Sequence, residues 1–302
     1  MRIASLVPAG TEILCALGLE QEIVGVSHGC RVPAGAAQGP RLTRSAIDPG
    51  LSSGAIDDEV REALRRGTPL YAVDDAALRQ ARPDLVVTQR VCEVCAVGAE
   101  AVEPVLAHLV PRPQVLALHT HSIAELLEEI LALGRATGRL EQAQRLTRSM
   151  RQRIEAVRKR VADAARPRVF CLEWLKPPMA SGHWVPEMVE HAGGREVLGH
   201  AGEPSRTVTW DAIAAAAPEV LVLMPCGLSV ERTRSELSVV EAEPLWARLP
   251  AVQRGRVYLV DGPALFNGAG PRLAEGVELL AGLFHPERCG SLIPTGSFGR
   301  IR

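Results

Sequence analysis

The sequence predicts an α/β protein of two Rossmann-like lobes with parallel sheets, and three observations lead there. Short runs rich in Val, Ile and Leu alternate with segments of helical period for most of the 302 residues, as buried strands do when they cross to parallel neighbours through helices. The length suits two domains of about 100 to 150 residues, each with its own core. One stretch also answers another. Leu78-Arg79-Gln80-Ala81-Arg82-Pro83-Asp84-Leu85-Val86-Val87 and Ile213-Ala214-Ala215-Ala216-Ala217-Pro218-Glu219-Val220-Leu221-Val222 each read as a helix end, a Pro-acid turn and a buried strand.

In chain order, the apolar runs predict strands at 3–6, 23–26, 85–88, 115–118, 169–172, 220–223 and 257–260, with helices between most of them. A second echo pairs residues 3–17 with 169–191. Both are strand, loop and helix, and the helices stop at Gly18 and at Gly193-Gly194, since glycine suits the left-handed residue that closes a helix. Residues 122–137 and 140–164 read as helices broken at Gly138, the first opened by Ser122 with Glu125 three residues on. The expected organisation is an N-terminal lobe over 1–120, connecting helices over 121–166, a C-terminal lobe over 167–288 and an irregular tail over 289–302.

Composition narrows the function. With 34 basic against 35 acidic residues, no global field exists to hold nucleic acid or an anionic membrane. The basic run 151–160 carries Ile154, Val157 and Val161 on one stripe and reads as a solvated helix face. No run reaches the roughly 18 apolar residues of a membrane span. The start, MRIASLVPAG, turns at Pro-Ala-Gly without the apolar region and cleavage site of a signal peptide. Seven cysteines are an odd number without disulfide-like framing, which fits reduced thiols. The expected address is cytoplasmic.

In open parallel sheets ligands bind beyond the carboxyl ends of strands, and the chemically distinctive side chains concentrate there. The first exit holds Pro8 and Thr11, the second His28 and Cys30, the third Gln89, Cys92 and Cys95. The later exits hold Glu173 and Trp174, then His183 and Trp184, and finally Phe266 and Asn267. The expected ligand contacts are Pro8, Thr11, His28, Gln89, Glu173, Trp174, His183, Trp184, Phe266 and Asn267. In a chain with 3% aromatic residues, Trp174, Trp184 and Phe266 offer either a flat apolar surface for a ligand or packing of loop onto lobe; both readings stand.

His28, Cys30, Cys92 and Cys95 form a candidate Cys3His set for Zn or Fe, built from a C-x-x-C and an H-x-C. A redox dithiol and simple buried thiols are the alternatives. His183 reads as an axial nitrogen donor or a loop cap. His119 and His121 read as solvent-side, and Glu187 as a cap at a helix start. No nucleophile-elbow, zincin, Walker or dinucleotide pattern occurs in a strand-to-helix context, so no catalytic residue is assigned.

Four segments, Ala4-Ser5-Leu6-Val7-Pro8 with Thr11-Glu12-Ile13-Leu14, 81–87, 218–224 and 251–258, resemble the class III substrate-binding proteins of the cobalamin and iron-siderophore type. Ser27-His28-x-Cys30, Thr88-Gln89-x-x-Cys92-x-Val94-Cys95, Glu173-Trp174 and Gly182-His183-Trp184-Val185-Pro186-Glu187-Met188 are similar to its cytosolic cobalamin-binding branch. Gly29 and Arg31 flank Cys30 where that branch often has acids. The resemblance implies lobes bridged by a long helix, with a corrinoid such as cobalamin, or a related metal chelate, in the cleft between them. It implies contact with an ABC transporter only if the chain is exported, from a start upstream of the assigned one. The competing expectation is a metal- or thiol-dependent enzyme on the same scaffold, with Cys92 or a metal-bound water as nucleophile and Glu173 as acid or base.

Overall fold

The computed structural model describes residues 1–30, 39–90, 97–294, 296 and 298–301. The chain divides into two compact units, Met1–Leu51 with Asp58–Thr120 and Ala124–Thr147, and Ser52–Asp57 with His121–Ile123 and Arg148–Arg302.

The N-terminal part runs β1 (Ile3–Ser5), α1 (Pro8–Ala16), β2 (Ile23–Val26), β3 (Thr43–Ser45), α2 (Ser53–Arg66), β4 (Tyr71–Val73), α3 (Asp75–Ala81), β5 (Leu85–Gln89), α4 (Ala99–Leu106), β6 (Gln114–Leu118), α5 (Ile123–Ala136) and α6 (Leu140–Val161). The sheet of the first unit is parallel throughout, in the order β2-β1-β5-β6. β1 and β5 are buried on both faces and form its centre, which is why their sequences are continuous apolar runs rather than alternating ones. Ala4, Leu6, Val86, Leu78, Val102 and Leu106 share one core cluster. The winding reverses between β1 and β5, so their exits flank the switch point where open α/β sheets leave room for a ligand. Tight packing brings α1 onto the sheet at Gly10, where a Cβ would meet Val87 Cγ1 at 2.7 Å.

The second unit contains β7 (Arg168–Trp174), β8 (Met179–Ala180), α7 (Val185–His191), β9 (Arg195–Glu196), β10 (Arg206–Thr207), α8 (Trp210–Ala216), β11 (Val220–Leu223), β12 (Val257–Val260), helix Leu273–Phe284 and β13 (Phe298–Arg300). β7, β11 and β12 are parallel neighbours, while β8, β10 and β13 add antiparallel edges. Phe170, Leu172, Ile213, Leu221, Leu223, Trp246 and Leu259 make its core.

The internal echo extends to backbone conformation and side-chain bonding. Helices α3 and α8 both end on a left-handed residue before proline, Arg82 at φ 42° and Ala217 at φ 43°. Arg2 Nε donates to Ala81 O at 2.9 Å and its backbone N–H donates to Asp84 Oδ2 at 2.7 Å. Arg168 repeats this with Ala216 O at 2.9 Å and Glu219 Oε2 at 3.0 Å. In each unit a guanidinium therefore satisfies an orphan carbonyl at a helix C-terminus, where positive charge is favoured, and the Pro-acid turn anchors the start of the neighbouring strand.

Three features depart from expectation. β3 and β4 pair antiparallel as a separate ribbon, with Thr43 opposite Val73 and Ser45 opposite Tyr71; three-residue strands are too short to show a period. The tail expected to be irregular returns as β13 against β12, because an edge strand needs backbone pairing and little apolar pattern. Helix α6 ends at Val161 rather than 164. The break between α5 and α6 does fall at Gly138, at φ +68°. Among the described residues no helix is long and apolar enough to cross a membrane.

Candidate functional sites at the strand exits

At the exits of β1 and β2, polar side chains turn inward before the chain reaches solvent. Thr11 is fully buried and its hydroxyl donates to Ser5 Oγ at 2.8 Å; the same Oγ1 lies 3.0 Å from Cys30 Sγ. Ser27 Oγ is 3.1 Å from that sulfur. Cys30, 3% exposed, is thus saturated by hydroxyls. Arg41 Nη1 donates to Ser27 O at 2.7 Å and to Cys30 O at 2.8 Å, which clamps the loop between them.

That clamp presents His28. Its backbone N–H donates to Thr43 Oγ1 at 3.0 Å and its Nδ1 lies 2.9 Å from the same oxygen. The ring stacks on Tyr71 with centroids 5.2 Å apart and planes 27° from parallel. Burial, and after it the Arg41 charge, lowers the His28 pKa below its ordinary value, so the ring is neutral at physiological pH. His28 is exposed, Pro8 half-buried and Gln89 buried. Cys92 and Cys95 lie outside the described residues.

The expected Cys3His set finds no support among the described residues, where no three His, Cys, Asp or Glu side chains come together as ion ligands. His28 Nδ1 turns to Thr43, while Cys30 faces Thr11 and Ser27. Positions two apart on this turn project to different sides, which H-x-C spacing does not reveal.

In the second unit, β7 and β11 exit beside each other, with Cys226 N–H donating to Glu173 O at 3.0 Å. Glu173 Oε2 accepts from Ser205 Oγ at 2.8 Å and from Gly182 N–H at 3.4 Å. Burial outweighs these two bonds and raises the carboxyl to about 7. Gly182 is obligatory, because a Cβ there would stand 2.5 Å from Ser205 N and 2.6 Å from Pro204 C.

His183 follows in a left-handed conformation, φ 52°. Its Nδ1 lies 3.2 Å from Nδ1 of His121, which had read as solvent-side. Burial and then His121 lower the His183 pKa. Glu187 caps a helix other than its own: Oε2 accepts from Ile123 N–H, at the start of α5, at 2.9 Å. Such long-range partners leave no local pattern.

The aromatic residues divide. Trp184 is 7% exposed with Nε1 donating to Phe266 O at 2.7 Å, and Phe266 is fully buried; their rings belong to the packing of the loop. Trp174 is half-buried and Nε1 donates to Ser53 O at 3.1 Å. Asn267 Nδ2 donates to Met224 O at 3.1 Å. Ser53 N–H, at the start of α2, donates to buried Glu236 Oε2 at 2.8 Å, a tertiary cap that sequence reasoning missed.

Comparison with known proteins gives this arrangement a lineage. The periplasmic binding protein family matches residues 3–264. An uncharacterized ABC transporter substrate-binding lipoprotein of Bacillus subtilis is 25% identical over 292 residues, covering 95% of this chain and 80% of that protein. A cobalamin-binding protein of Halobacterium salinarum is 27% identical over 169 residues, 54% of this chain and 45% of that protein. Among solved structures, a periplasmic heme-binding protein from Pseudomonas aeruginosa superposes with a TM-score of 0.73 at 19% identity, covering 100% of this chain and 98% of that one. A lipoprotein and a periplasmic protein among these relatives overturn the expected cytoplasmic address. With most of its length matched, the chain belongs to the periplasmic binding protein family.

Proposed function

We propose that this protein is an extracytoplasmic substrate-binding component that delivers a corrinoid to an ABC transporter. The observation that carries the reading is the 27% identity to a cobalamin-binding protein over 169 residues; the lipoprotein relative supports the transporter as partner. The described strand-exit loops fit the task because hydrogen bonds such as those from Arg41 to Ser27 O and Cys30 O hold them in place, which reduces the ordering cost of binding. Ligand contact is assigned to Pro8, His28, Glu173, Trp174, His183 and Asn267, all exposed or half-buried. Thr11, Gln89, Trp184 and Phe266, buried beneath them, act as supports.

The test is retention of ligand through gel filtration. Purified protein is mixed with hydroxocobalamin or, separately, with hemin, and cobalt, iron and absorbance are measured in the protein peak. About one cobalt per chain with the corrin spectrum is the expected result. Retained hemin without retained cobalamin would transfer the reading to heme, and retention of neither would end it.

A further inference from the structure

The imidazole of His28 is held in one orientation by its neighbours. Exposed histidines on loops usually sample several rotamers, yet this one is held at three points. Thr43 Oγ1 meets both the backbone N–H and Nδ1 of His28, at 3.0 and 2.9 Å. The Tyr71 ring stacks against its face. Arg41, through Ser27 O and Cys30 O, fixes the loop that carries it. Thr43 is itself fully buried at the start of β3, which pairs with the β4 strand bearing Tyr71, so the orienting groups sit on one rigid ribbon. Among the described residues Nε2 has no hydrogen-bond partner.

This is the arrangement that orients imidazole ligands elsewhere, with one ring nitrogen bonded to the protein so that the other meets the metal. A bare ion would need further protein ligands. A metal already held in a planar macrocycle needs only one donor from the protein, along its axis. We infer that His28 Nε2 is an axial ligand to the metal of the bound chelate, with Thr43 as the residue that positions it. The inference rests on the corrinoid reading above and names the contact that reading leaves open. In the binding step the Nε2 lone pair forms a bond to Co(III), the cobalt–water bond breaks and water leaves. Nδ1–H donates to Thr43 Oγ1, and no oxidation state changes.

The probe is aquocobinamide, a corrinoid without a nucleotide base of its own. Its absorption is recorded on wild type, His28→Ala, Thr43→Val and Thr43→Ser, with free imidazole plus aquocobinamide as the reference for an imidazole adduct. Wild type should show the imidazole-adduct spectrum. His28→Ala should retain corrinoid more weakly, by about tenfold or more, with the spectrum of the water-bound form, and added imidazole should restore the adduct bands. Thr43→Val should weaken the adduct by about 10- to 100-fold, the usual effect of removing such a partner, and Thr43→Ser should recover it. Retained corrinoid with the same water-bound spectrum in wild type and His28→Ala overturns the axial assignment and leaves the corrinoid reading standing. Retention by none of the proteins overturns both.

Discussion

Replacing Glu173 by Gln should stabilise the protein by an amount that grows as pH rises from about 4.5 to about 7. The carboxyl sits at the end of β7, where Ser205 Oγ and Gly182 N–H both donate to Oε2, and burial raises it from 4.5 to about 7. The folded state therefore binds this proton more tightly than the unfolded chain does. The stabilising contribution is complete below about pH 4.5, declines as pH rises, and is lost above about pH 7. The difference between those two values corresponds to about 3 kcal/mol at 1.36 kcal/mol per tenfold. Glutamine keeps an acceptor oxygen for both donors and carries no charge, so Glu173→Gln should exceed wild type by up to about 3 kcal/mol at pH 8.5 and match it near pH 4.5. Urea unfolding of both proteins at the two pH values measures the difference, and comparing variant with wild type at each pH cancels the general pH response of the chain. A gap of equal size at both pH values would refute the argument, since it would locate the effect in packing rather than in a desolvated charge.

Further outcomes follow from individual contacts. Gly182→Ala should lower stability by about 2 kcal/mol or more in thermal unfolding, because the new Cβ meets backbone at Pro204 and Ser205 rather than a movable side chain. Ala217→Gly should raise stability by about 1 kcal/mol, since α8 ends there at φ 43° and glycine adopts that conformation without a Cβ clash; no gain in urea unfolding would show that the turn is not strained. Arg168→Met should cost about 1.5 to 3 kcal/mol through loss of the charged bond to Ala216 O, and Arg2→Met should mirror it at Ala81 O. Trp174→Phe should cost about 1 kcal/mol by removing the bond to Ser53 O, with faster hydrogen exchange at the first turn of α2; unchanged exchange there would show that the indole does not hold that helix.

What the sequence determined by itself was the architecture. All seven expected strands exist, three of them with the expected limits at 23–26, 220–223 and 257–260. Buried parallel strands must be continuous apolar runs, and that requirement is written residue by residue. The repeat was legible for the same reason, and its Pro-acid turns at Pro83-Asp84 and Pro218-Glu219 proved to share bonding as well as spelling. Tertiary structure alone decided what the exit residues do. Phe266 and Trp184, alike in sequence to Trp174, are closed into the core, and Cys30 is saturated by Thr11 and Ser27 rather than paired with its neighbour His28. The partners that give the remaining groups their character stand far along the chain: Thr43 for His28, Ser205 for Glu173, Ser53 for Trp174 and His121 for His183. Backbone periodicity is a local property that a sequence displays directly, whereas burial and hydrogen-bond partnership exist only once distant segments have met.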